Sequence, residues 1–385
     1  MTNRRQAALV IGATVAVGVF LATIPTFRHF FDLGVYRGAV QAWLLHDGDL
    51  YRYRYQGTEY GFTYPPFAAI VLAPLAWTSW PVAVAAGLVV NTAMVGLLMR
   101  WYVMPVLRNR GWTAWSLAPL IFLAFLLFEP SRDTFSYGQI NLVLLVLVCA
   151  DQRNLDNGRS AGWGIGLAAA IKLTPAVFIG YLIIRRQYRA AATATATALG
   201  VTLITWLVAP ASSATFWGHA LWDTQRVGRT EYVSNQSLHG LVARLQAPET
   251  VWPALVALVL AFWWWTARNA GHRTGFALTG LVAVLISPIS WVHHLVWLLP
   301  ALFLLLERNI DRPRRLAAVG GALVIMSSSL VWLWWDKPFG WLSFPGSNAY
   351  VWITLGLLIA VGHPLIRRGS AGCTTGLQPV GSIKE

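Results

Sequence analysis

The chain has 385 residues, of which 56% are hydrophobic and only 11% charged, against roughly 25% charged in soluble domains. That composition excludes a soluble enzyme on a single anchor and predicts an all-α polytopic membrane protein. The formal net charge of +14 does not require a nucleic-acid partner, and the two cysteines, Cys149 and Cys373, are too few and too far apart for a disulfide framework or metal site.

In chain order, "MTNRR" followed by the apolar run Gln6 to Phe27 has the charge pattern of a signal peptide. The run is too long and no small-residue cleavage site follows, so it reads as an uncleaved first span. Just beyond it, "FFDLGVYRGAV" (30–40) carries one acid, Asp32. A carboxylate at that depth is partly desolvated and needs a partner or a task. "VYRGAVQAWLLHDG" has helical apolar spacing and suits a helix lying in the interface. Tyr64-Pro65-Pro66 ends any helix there and starts a short one at Phe67. Segments of the roughly 20 apolar residues a crossing needs are placed at about 7–27, 82–99, 112–129, 139–150, 190–208, 251–267, 275–288, 291–306, 316–335 and 349–366. The stretch 161–184 is broken by Lys172 and Pro175 and reads as two short spans or a re-entrant pair. The total is ten crossings or twelve, and either puts both termini on one side. "FWWW" (262–265) and "WLWW" (332–335) read as interfacial belts. No solenoid repeat is evident. Residues 1–368 form one transmembrane domain, and the polar tail 369–385 is expected to be disordered and cytoplasmic.

Basic residues orient the chain. Segments 1–6, 100–111, 151–160, 185–189, 268–274, 307–315 and 367–385 hold 19 Lys/Arg and five acids. The opposite segments, 28–66, 130–138, 209–250 and 336–348, hold nine of each. The positive-inside rule makes the first set cytoplasmic, so the long loops 28–66 and 209–250 are expected on the extracytoplasmic face of the plasma membrane.

Polar residues beside the spans gather on that outer face: Asp32, Tyr36 and Tyr64; "EPSRDTFSYGQIN" (129–141); "DTQRVGRTEYVSNQSLHG" (223–240); and "SPISWVHH" (287–294). Each has a plain structural reading. Asp32 pairs with Arg28 or Arg37; Arg132 pairs with Asp133; Gln139 and Asn141 cap a span; "SNQSLHG" is turn chemistry. His293 and His294 lack the i, i+4 spacing of a helical metal pair, and on a helix they point about 100° apart. Lys172 is hardest to dismiss, because a lysine at membrane depth needs an anion or carbonyls around it.

Together, "FDLGVY", "FTYPPFAAIVLAPLA", "FSYGQINLVLLVLV", "IKLTPAVF", "SNQSLHG" and "SPISWVHHLVWLLP" resemble, in order, motifs of the actinobacterial polyprenyl-phosphate-mannose-dependent mannosyltransferases of glycosyltransferase family 87, over about residues 30–306. The resemblance implies a GT-C-type helix bundle with short interfacial helices in its extracytoplasmic loops. It also implies inverting transfer of mannose from a polyprenyl phosphate β-mannose to form an α-1,2 linkage, with no cofactor or metal. The nearest likeness is to the enzymes that extend phosphatidylinositol mannosides. A sister group that branches lipomannan tends to carry two acids in the first motif, where this chain has Asp32 alone. Asp32 matches the family's first-loop acid and is the candidate general base. His293 or His294, Lys172 and Arg226 are candidates for the donor phosphate; Tyr36, Tyr64, Gln139, Asn141, Asn235 and Gln236 are candidate substrate-binding residues. The alternatives are a related transferase using decaprenyl-phosphate arabinose or acting on lipomannan, and a lipid flippase or transporter. Beyond residue 306 no motif matches.

Overall fold

In the computed structural model the described residues are 3–23, 28–336, 339–341 and 343–363; the tail expected from Gly369 lies outside them. Among these residues every regular element is helical, as an all-α polytopic membrane protein requires when lipid offers backbone groups no partner. Three helices are long and apolar enough to cross a bilayer alone: Asn3–Thr23, Trp80–Asn109 and Tyr188–Val208. The pair Ala114–Leu127 and Glu129–Tyr137, bent by 73°, would be a fourth if it is one span. Shorter apolar helices occupy several other expected spans, among them Val251–Ala267, His272–Ile286 and Ala349–Gly362. The short helix predicted after the double proline is Pro66–Leu72, with Pro66 in its first turn. The expected interfacial helix begins earlier than its apolar spacing suggested, at Phe31, and runs to Leu45.

The 161–184 stretch decides one alternative. It forms Trp163–Ile171, an extended Lys172 (φ −149°, ψ 132°), a 3₁₀ turn Thr174–Ala176 and then Val177–Ile184. Helices of nine and eight residues reach roughly 12–14 Å each at 1.5 Å per residue, well short of the ~30 Å hydrocarbon core. Neither half reaches across by length alone, as two short straight spans would have to. The break frees main-chain groups mid-segment and holds Lys172 out of either helix.

Close backbone packing makes this region rigid. Trp163–Ile171 lies between Asn141–Asp156 and Tyr188–Val208. A Cβ at Gly164 would stand 2.1 Å from the Leu147 carbonyl oxygen, and one at Gly166 2.5 Å from that of Ala194. Small residues are what permit such an approach between helices in lipid. Around them runs His272–Ile286, buried along nearly its whole length. It packs on Val251–Ala267, Ala349–Gly362 and Leu299–Asn309, as a helix apolar on all sides must. Glu129 is fully buried at the 73° bend. It accepts from Trp332 Nε1 at 2.6 Å and from the Tyr350 hydroxyl, tying the bend to distant helices. Trp332 is therefore part of this core wall, not only of an interfacial belt; Trp264, Trp265 and Trp335 are exposed as a belt requires.

Candidate active site

Residues 28–36, 60–65, 137–139, 172–174, 216–234 and 287–294 supply the walls of one cavity of about 630 Å³, within the ~300–1,000 Å³ common for ligand sites. Asp32 sits in the first turn of Phe31–Leu45 and lines it. Its Oδ2 accepts from Gln139 Nε2 at 2.7 Å. Burial pushes this carboxyl up to about 6, against the Gln139 hydrogen bond and the Lys172 charge, which both draw it down. The expected partners are elsewhere. Arg28 lies 3.9 Å from Asp133, and Arg37 donates to the Thr78 carbonyl at 3.1 and 2.7 Å. The structural reading of Asp32 as half of an ion pair with either arginine is thereby removed.

Two amides at the start of Asn141–Asp156 organise the rest. Gln139 Oε1 accepts from the Tyr64 hydroxyl at 3.0 Å and from Asn141 Nδ2 at 3.3 Å; the Tyr36 and Tyr64 hydroxyls meet at 2.9 Å. Neither amide side chain caps that helix; the expected capping role is corrected, because both are turned into the polar network. Lys172 Nζ donates to Asn141 Oδ1 at 3.1 Å and lies 2.8 Å from His294 Nε2. It also stands 5.0 Å above the Tyr64 ring. His294 Nδ1 accepts from the Trp291 N–H at 3.2 Å.

The two histidines do not diverge as adjacent residues of an α-helix would: they lie in a 3₁₀ turn, their ring centroids are 4.7 Å apart edge to face, and both line the cavity. His293 is buried, its ring edges onto Tyr137, and its Nε2 has no hydrogen-bond partner among the described residues. Its ring lines the cavity while this nitrogen itself is buried, and His294 stands against Lys172.

The remaining candidates take varied places. Arg226 lines the cavity, but its guanidinium donates to the Tyr51 carbonyl and lies 5.7 Å from the Tyr51 ring. Its Nη2 is spent on the Tyr51 carbonyl while the side chain lines the same cavity as Lys172. Asn235 and Gln236 are buried behind the wall. Asn235 bonds Thr230 O, Pro288 O and the Ser290 N–H, and Gln236 bonds Val233 O, Ser347 O and the Val351 N–H. Their amides are spent on backbone, so they shape the loop and do not face the cavity. Arg132 does not pair with Asp133; it bonds Leu127 O, Ser327 O and Ser329 Oγ.

Sequence reasoning missed Arg28 as a cavity residue. Its guanidinium lies 4.3 Å from the Trp332 ring and 5.7 Å from Tyr137, a cation held over aromatic faces that come from segments distant in sequence. The only signal was its place four residues before Asp32. Among the described residues no three His, Cys, Asp or Glu side chains gather in a way that could hold a metal ion.

The model of glycosyltransferase family 87 matches residues 62–288. A protein of Mycolicibacterium smegmatis, described as a polyprenol-phosphate-mannose-dependent α-(1-2)-phosphatidylinositol mannoside mannosyltransferase, is 35% identical over 70% of this chain and 68% of its own length. The protein of the same description from Mycobacterium tuberculosis is 31% identical over 90% of this chain and 88% of its own length. A second M. smegmatis protein, described as a phosphatidylinositol pentamannoside mannosyltransferase of the same donor and linkage, is 32% identical over 80% and 78%. No solved structure matches.

Proposed function

The chain belongs to glycosyltransferase family 87, and on that premise we propose that it transfers mannose from a polyprenyl phosphate mannose to a mannosylated phosphatidylinositol lipid, forming an α-1,2 linkage. The donor and acceptor are those in the names of its relatives. The observation that carries the reading is one carboxylate and one amine on the same cavity, fixed relative to each other through Gln139 and Asn141. The charge asymmetry of the loops supports an extracytoplasmic cavity, reached by the lipid donor and lipid acceptor from the same leaflet.

In this reading Asp32 takes the proton of the acceptor 2-hydroxyl as its oxygen attacks the anomeric carbon of the donor. Attack comes from the face opposite the phosphate, the carbon–oxygen bond to phosphate breaks, and its electron pair leaves with the lipid phosphate. A β-linked donor therefore gives an α-linked product. A positioned base contributes typically about 10²–10⁴-fold. Gln139 holds Oδ2, which orients the carboxylate and leaves Oδ1 for the hydroxyl. The leaving phosphate is received by Lys172 with His294 and by Arg28, which lines the same cavity; preorganised donors of this kind act where charge develops.

The test is mannose transfer in membranes containing the protein, with labelled polyprenyl phosphate mannose and phosphatidylinositol mannosides of several lengths. The expected result is a labelled glycolipid whose new linkage is α-1,2. Label entering product only from decaprenyl phosphate arabinose would replace the donor. Movement of lipid with no sugar transfer would replace the reaction class.

A further inference from the structure

A second cavity of about 520 Å³ lies against Phe31–Leu45 and is absent from the transfer chemistry above. The helix explains both cavities. Asp32, Val35 and Tyr36, at i, i+3 and i+4, line the active-site cavity. Phe31, Gly34, Arg37, Gly38 and Gln41 fall on another stripe at helical spacing and line the second. His29 and Phe31 belong to both, so the two spaces meet at the N-terminal end of this helix. There the Phe31 ring stands edge-on to Tyr55 at 5.2 Å and to Tyr60 at 5.8 Å.

The lining has a particular chemistry. Tyr53 and Tyr55 pack so closely on the helix that a Cβ at Gly38 would lie 1.9 Å from the Tyr53 hydroxyl oxygen, and one at Gly34 2.4 Å from that of Tyr55. The two glycines are what let these rings, with Trp80 and Phe31, wall the cavity. Among the rings stand two planar polar groups held still from behind. Arg37 donates through Nε and Nη2 to Thr78 O, and Gln41 donates to Ala76 O at 3.1 Å. Nη1 of Arg37 and Oε1 of Gln41 stay uncommitted among these contacts. Aromatic faces beside an immobilised planar donor and acceptor match a pyranose, which offers C–H-rich faces for stacking and paired hydroxyls at its rim. A lipid tail would leave the polar groups unpaired, and a lone shared guanidinium is a poor match for a phosphate.

We propose that this second cavity is a carbohydrate subsite that takes a sugar of the acceptor remote from the hydroxyl being extended, and so selects which mannosylated lipid is used. The proposal rests on the transferase reading above. It gives the helix two tasks: its Asp32 face activates the hydroxyl and its Arg37–Gln41 face measures the glycan that carries it.

The experiment compares wild type with Trp80→Ala, and with Gln41→Ala as a milder second variant, on acceptors bearing one mannose and several. The expected result is a KM for the longer acceptor raised about tenfold by loss of an aromatic contact, with kcat, donor KM and the KM for the one-mannose acceptor unchanged. A parallel measurement follows protection of the purified protein against heat by a free manno-trisaccharide, expected in wild type and lost in the variants. Equal effects on both acceptors, or none on either, would overturn the subsite. If wild type transfers no mannose yet the trisaccharide protects it and not Trp80→Ala, the subsite stands and the transferase reading falls.

Discussion

Asp32→Asn should make the enzyme worse and the protein more stable, and the two effects together identify a base. Asparagine keeps the size and can still accept from Gln139, but takes no proton at neutral pH. Loss of a positioned base predicts transfer slower by at least ~100-fold, about 2.7 kcal/mol of activation free energy. Stability moves the other way. The folded carboxyl, raised from 3.8 to about 6, binds its proton more tightly than the unfolded one. Stability is therefore lost as pH rises between those values, and the penalty is complete above about 6. Two units correspond to roughly 3 kcal/mol; Asp32 is only half-buried in an open cavity, so ~1–2 kcal/mol is the working figure. Removing the charge should raise the thermal unfolding midpoint at pH 7.5, with the advantage vanishing near pH 4. Transfer would be measured at matched amounts of folded protein, and unfolding in the same detergent at both pH values. Near wild-type turnover would refute the base. A variant less stable than wild type at pH 7.5, with activity lost in proportion, would make Asp32 a structural anchor.

The acid limb of kcat/KM should lie near pH 6, the rate rising as Asp32 loses its proton, and Gln139→Leu should move it upward by about one unit because a hydrogen bond that favours the charged form is gone; a limb that stays put belongs to another group. Lys172→Met should lower turnover by about 100-fold, the usual loss for one donor to developing charge, with expression and folding retained. His293→Ala and His294→Ala should each reduce turnover more than thermal stability, and full activity in both would make the histidines structural. A cysteine introduced at Trp222, which is exposed beside the cavity-lining residues, should react with an impermeant maleimide from outside the cell; labelling only from the cytoplasmic side would reverse the orientation of the site.

Much of the site was legible because its residues are chemically conspicuous against an apolar background. Asp32, Lys172 and the histidine pair had to be explained, and one cavity collects all four. The break at Lys172 was visible in Pro175, and the start of the Pro66–Leu72 helix in its prolines. What could not be read was partnership over long sequence separation. Arg28 and Arg37 were equally good neighbours for Asp32 by spacing, yet one turns to Asp133 and the other to Thr78. Asn235 and Gln236 looked like ligand groups because buried amides that serve backbone carbonyls have the same sequence signature as amides that serve a substrate. The second cavity left a trace only in Gly34 and Gly38, whose purpose depends on two tyrosines that fold back onto them.

The hydrogen bonds between Lys172 and Asp32 all run one way. Lys172 gives to Asn141, Asn141 to Gln139, and Gln139 to Asp32. Each donor is polarised by the one behind it, so the chain leans its positive end on the carboxylate. Yet two of its links are carboxamides, which hold their protons at neutral pH. Charge influence travels along this line while protons do not. In the proposed reaction a proton captured by Asp32 has no route along these amides to Lys172; it leaves through the cavity, with the departing phosphate or with the water that follows product out. Resetting the enzyme for its next turnover is thereby tied to emptying the cavity.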